Sequence, residues 1–157
     1  MVATGDHTNN SLFEFTDQDM LKKYSIPLII YVPEKYRPKL KVDTEKFGSH
    51  RDIFPTIFNL SLSNTKYLNT GENLLSNEKQ YNYSIYNFSL AMDSIGCISF
   101  QRTPLYYKWE NDSTKTLIPV DVDSVPQLNN LYLKARSYIA SMKFYIMNEL
   151  KSKKVGE

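Results

Sequence analysis

Cysteine is almost absent: Cys97 is the only one in 157 residues. No intrachain disulfide can form, and cysteine usage gives no guide to compartment. Cys97 lies in the apolar stretch IGCISF, which suits a small buried hydrophobe better than a nucleophile. Charge of one sign is also lacking, with 19 Lys and Arg against 17 Asp and Glu, a net of +2. The charges are mixed along the chain, which argues against the basic stripe a nucleic-acid surface needs, so no nucleic-acid partner is expected. The one cluster, KSKK at Lys151 to Lys154, reads as solvation or dipole complement at a helix end. Long apolar runs are missing too. The longest, IPLIIYVP, is far too short to span a bilayer. The first residues lack the basic and apolar regions of a secretory leader.

What the chain has is aromatic bulk, twelve Tyr and eight Phe within a hydrophobic fraction of 41%. That permits a sizeable core for one domain or a piece of a larger one. Five N-x-[ST] sequons start at Asn9, Asn59, Asn82, Asn87 and Asn111. In a chain this rich in Asn and Ser they are background.

Two parts are predicted. In residues 1–78, MVAT reads as the end of a buried strand stopped by Gly5. It is too short to pair well alone, so sequence before Met1 is expected. DQDMLKKY suits one or two helical turns. IPLIIYVP (26–33) suits a fully buried strand, and an edge strand is expected near Leu40 to Val42. DIFPTIFNLSLS suits a short amphipathic helix, with Ile53, Phe54, Ile57 and Phe58 on one face and Asp52 as its N-cap. In residues 79–157 the period becomes two-like, and a meander of three or four antiparallel strands is predicted over about 82–121. A helix of about 25 residues, about 38 Å long, then follows the candidate cap Ser124 and Pro126. Its stripe is Leu128, Leu131, Ala135, Tyr138, Met142, Tyr145 and Leu150, expected to pack on the meander.

The candidate chemistry sits at Asp6-His7. Adjacent residues in irregular backbone can aim into one cleft, and a glycine before them lets the loop turn. Carboxylate plus neutral imidazole suits Mn²⁺ or Zn²⁺, whereas Mg²⁺ and Ca²⁺ prefer oxygen ligands alone. On the residues alone the pair reads first as a turn, with Asp6 a cap and His7 on the surface. Thr8, Asn9 and Asn10 could hydrogen-bond a phosphate or sugar, or form an Asx-type turn. His50, the only other histidine, reads as structural rather than as a third ligand. Tyr106, Tyr107 and Trp109 read as strand packing rather than a stacking platform.

Four segments carry a family resemblance. ATGDH (Ala3 to His7) resembles the second metal-binding motif of the alkaline phosphatase superfamily, in its sulfatase-like branch. PLIIYVP (Pro27 to Pro33) resembles the family's next core strand. GSHRDIFPTIFNL (Gly48 to Leu60) is similar to its strand-to-helix segment, with Asp three residues before Pro-Thr. NTGENLLS (Asn69 to Ser76) resembles the stretch closing the catalytic sheet. Together they cover about residues 1–76, and the Gly-Asp-His-Thr start is closest to the lipoteichoic-acid-synthase-like phosphoglycerol transferases.

The resemblance implies the C-terminal portion of an α/β catalytic domain (1–78), followed by an α+β subdomain of meander and long helix (79–157). It implies metal ligation by Asp6 and His7, substrate contact by Thr8 and Asn9, and one divalent cation, manganese before magnesium, zinc or calcium. The substrate would be a phospholipid or polyol phosphate outside the cytoplasm, with the parent chain anchored in the membrane. The family's nucleophile and acidic metal ligand precede the Asp-His motif, so no catalytic residue is assigned here. The piece alone is expected to be inactive and, with open strand edges, prone to self-association. A sulfatase, calcium-loaded, is the nearest alternative. A binding domain without catalysis is the alternative from another class.

Overall fold

The computed structural model describes residues 1–8, 13–39, 41–61, 66–78, 82–111 and 115–154. Strands β1 (Val2–Thr4) and β2 (Leu28–Ile30) pair with each other. Strands β3 (Tyr83–Tyr86), β4 (Leu90–Asp93), β5 (Gly96–Ser99), β6 (Leu105–Asn111) and β7 (Thr116–Val120) form a second sheet in sequential order. Helices α1 (Met20–Tyr24), α2 (Ile53–Ser61) and α3 (Pro126–Lys154) complete the α+β architecture.

The meander has five strands, not three or four. Residues 83–93 form a hairpin rather than one strand. It folds at Asn87, Phe88 and Ser89, with Asn87 and Phe88 at φ 43° and 56°. Asn enters the left-handed region readily, but Phe rarely does. Asp93 makes the next turn, its carboxylate accepting the Ile95 and Gly96 amides.

Alternation along β4 and β5 sends side chains to two covered faces. Met20, Leu90, Met92, Cys97, Tyr107 and Leu117 form one buried cluster, with Tyr24, Phe47 and Trp109 packed against it. Tyr83, Ala91 and Ile98 of the sheet form the other with Leu128, Leu131 and Ala135 of α3. The sheet is thus the middle layer between α3 and the region of α1, and Ala91, Cys97, Ile98 and Leu117 have no exposed surface. Tyr107 is buried, and Trp109 donates its indole N–H to the Asp93 carbonyl at 2.9 Å. Both aromatics pack, as the sequence suggested.

Cys97 points at the Met20 thioether, 3.6 Å away. Burial, and then the nearby Asp93 carboxylate, push its thiol pKa well above the usual range. Only the thiolate reacts quickly. A thiol reagent such as DTNB is therefore expected to label Cys97 at the rate of unfolding, and fast labelling of the native chain would contradict this packing.

Three expectations are corrected. First, β1 and β2 are not buried core strands. Ala3, Thr4, Leu28 and Ile29 are exposed, and the two strands, three residues each, have only each other as described partners. Every ladder among the described residues is antiparallel, whereas an α/β catalytic core would supply parallel ones. Leu40 lies outside the described residues, and Lys41 and Val42 are not in a strand.

Second, Asp52 does not cap α2. The cap is Ser49, which opens a 3-10 turn over His50–Asp52 running into α2. Asp52 is its reciprocal partner in a capping box. Of the expected apolar face, Phe54 is 67% exposed, while Pro55 and Thr56 are buried instead.

Third, Ser124 lies in a 3-10 turn (Val122–Ser124), its hydroxyl donating to the Asp121 carbonyl. Leu128, Leu131, Ala135 and Ile139 of α3 are buried. The predicted stripe continues to Tyr145 and Leu150, yet these are exposed. A helix of 29 residues is about 43 Å long. The sheet beneath it spans only about 20 Å across five strands, so the stripe outruns its partner.

Candidate metal site and its cleft

Asp6 and His7 lie in the loop leaving β1. The Asp6 carboxylate accepts the His7 backbone N–H at 2.9 Å, an Asx-type local bond. The His7 ring turns back on the same loop, its Nδ1–H donating to the Thr8 carbonyl at 3.0 Å. The other ring nitrogen, Nε2, lies 3.6 Å from Asp6 Oδ2. Donation of one ring N–H to a carbonyl is how ligating histidines are usually oriented. The separation is less than twice the metal–donor distance of about 2.1 Å, so both atoms can reach one ion. The pair therefore fits part of a divalent cation site. It does not close one: no group of three or more His, Cys, Asp or Glu capable of holding a metal occurs among the described residues. Both side chains are open, at 69% and 90% exposure.

Gly5 takes the turn before the pair without a left-handed backbone. No described glycine has positive φ. A Cβ added at Gly5 would meet its nearest neighbour, Ile26, at an ordinary 3.7 Å. Thr8 turns inward, its hydroxyl donating to the Ser25 carbonyl at 3.0 Å, so this hydroxyl serves the scaffold. Asn9, assigned with it to substrate contact, lies outside the described residues, as does Asn10.

The loop borders a cleft of about 700 Å³. Asp6, His7, Thr8, Lys46 and His50 line its polar part, and Ile26, Ile53, Leu74 and Met92 are among its apolar walls. Three of the sequence segments singled out above converge here. The His50 Nε2–H donates to the Gly5 carbonyl at 3.0 Å, across 45 positions. Asp52, 2% exposed, accepts the Ser49 amide at 2.7 Å and the Glu72 amide at 2.8 Å. The Thr56 hydroxyl donates to the Asp52 carbonyl and accepts the Leu74 amide, at 2.7 and 2.8 Å. Residues 48–56 thus hold 3–7 on one side and 69–76 on the other.

Arg51 ties this junction to the sheet and α3. Its guanidinium donates to the Tyr83 hydroxyl at 2.9 Å and to the Tyr83 carbonyl at 3.0 Å. It lies over the rings of Tyr83 and Tyr138, 4.2 and 4.7 Å from their centroids. Its Nε is 3.5 Å from the Asp52 carboxylate without forming a hydrogen bond. Burial raises the pKa of the Tyr138 hydroxyl, and the Arg51 charge opposes that shift. Asp52 and Arg51 are structural anchors. His50 is a tether whose partner, 45 residues away, no local pattern in the sequence could have indicated.

No family model matches the chain, and no curated protein or solved structure matches it. No described helix is long and apolar enough to cross a membrane.

Proposed function

We propose that these residues form the C-terminal portion of a metal-dependent phosphoglycerol transferase of the sulfatase-like branch, acting on a phospholipid or polyol phosphate on the outer side of the cytoplasmic membrane. Asp6 and His7 supply two ligands to a divalent cation, manganese being the ion best suited to a mixed oxygen and nitrogen set. The observation that carries this reading is the convergence just described. Segments chosen for their resemblance, far apart in sequence, are joined through His50, Asp52 and Thr56 beside one cleft. The exposed apolar side chains of Leu28 and Ile29 fit strands that meet further sheet in a larger domain.

Bound at this pair, the cation would lower the pKa of an attacking hydroxyl and neutralise charge on the transferred phosphoryl group. The chain's own residues do the positioning. Asp6 offers the carboxylate, and His7 offers Nε2 with its tautomer set by the Thr8 carbonyl. Lys46 and the apolar walls shape the cleft. No nucleophile is assigned among these residues.

The test uses the cellular polypeptide that carries these residues. Manganese-dependent release of diacylglycerol from a glycerophospholipid is expected, and it should be abolished by His7→Ala. Calcium-dependent hydrolysis of an aryl sulfate would favour the sulfatase reading. Neither activity with any divalent ion would leave a binding domain.

A further inference from the structure

His50 stands at a fixed point of the fold. It begins the 3-10 turn that Ser49 and Asp52 lock reciprocally, and Asp52 is buried and bound to the Glu72 amide. The ring itself is exposed and reaches out to the Gly5 carbonyl, on the residue immediately before Asp6. On the other side of the pair, the Thr8 hydroxyl is fastened to the Ser25 carbonyl. Asp6 and His7, themselves open to solvent, therefore lie between two clamps.

We infer that His50 is a positioning residue: its Nε2–H holds the Gly5 carbonyl, fixing the loop that presents Asp6 and His7, and it is not itself a ligand. A carbonyl oxygen only accepts, so Nε2 carries the proton; Nδ1 keeps a lone pair, but His50 does not join Asp6 and His7 in any group of three donors able to hold a metal among the described residues. Loss of an orienting partner outside the ligand set typically weakens metal binding about 10–100-fold. In its metal consequence this rests on the function proposed above. The clamp itself does not.

The experiment has two arms on the 157-residue chain, comparing wild type, His50→Ala and His50→Gln. The Gln amide nitrogen reaches the place of Nε2 and keeps the donor. In the metal-free arm, ¹⁵N relaxation of the Gly5 to Thr8 amides is measured. Rigid order parameters, about 0.85, are expected in wild type and His50→Gln, falling below about 0.6 in His50→Ala. An unchanged loop in His50→Ala, or equal loosening in both variants, overturns the inference. In the second arm Mn²⁺ is titrated. His50→Ala is expected to bind about tenfold more weakly, with His50→Gln close to wild type. Equal loss in both variants would make His50 a ligand and also overturn the inference. No binding by wild type would sink the metal reading, while the relaxation arm still decides the clamp.

Discussion

Asp52→Ala is expected to destabilise the chain by about 3–5 kcal/mol, the range for removing one partner of a buried ion pair. The carboxylate is 2% exposed and accepts two backbone amides from different segments, Ser49 and Glu72. Its removal leaves both amides without their acceptor. It also leaves the Arg51 guanidinium, whose side chain is 9% exposed, without the Asp52 carboxylate 3.5 Å from its Nε. An unsatisfied buried group costs about 1–3 kcal/mol by itself. Asp52→Asn keeps one acceptor but turns a donor toward the other amide, and should fall between alanine and wild type. Urea unfolding measures both. A loss below about 1 kcal/mol in Asp52→Ala would mean that the junction is not held as described.

Gly96→Ala is expected to cost about 3 kcal/mol or more, at the upper end for overpacking a core. A Cβ there would lie 2.0 Å from the Tyr107 carbonyl oxygen and 2.9 Å from the Lys108 Cα. Those are backbone atoms of β6, so no side-chain rotation relieves the clash. Gly96 pairs with Lys108 at the start of β5, the central strand, next to the fully buried Cys97 and Ile98. Spreading β5 from β6 would open both core clusters. Besides lowering the urea midpoint, the substitution should make Cys97 accessible to DTNB. Wild-type thiol protection in Gly96→Ala would contradict the expected displacement.

Local patterns carried much of the fold. The α2 helix, the first half of α3 and the antiparallel character of residues 83–120 follow from periodicity and turn residues. Cys97 follows from its apolar neighbours. What failed depended on partners distant in sequence or on backbone that side chains do not announce. The hairpin at Asn87 and Phe88 was hidden because Phe rarely takes positive φ. The exposure of β1 and β2 was hidden because an apolar run signals burial without naming what buries it. The stripe of α3 persists to Leu150 although the sheet ends beneath its first half. At the site, Asp6-His7 was legible as a pair of donors. Asp52 was seen as a cap, but its wider role came from Glu72 and Arg51. The link from His50 to Gly5 is purely tertiary.

The central claim is that Asp6 and His7 ligate one divalent cation. Titration of Mn²⁺ into the 157-residue chain, followed by loss of the free-ion EPR signal, tests it most directly. One saturable site is predicted, with Asp6→Ala and His7→Ala each weakening it beyond the roughly 100-fold upper range of outer-shell substitutions while leaving the urea midpoint unchanged. Absence of saturable binding, or binding that survives both substitutions, would contradict the account.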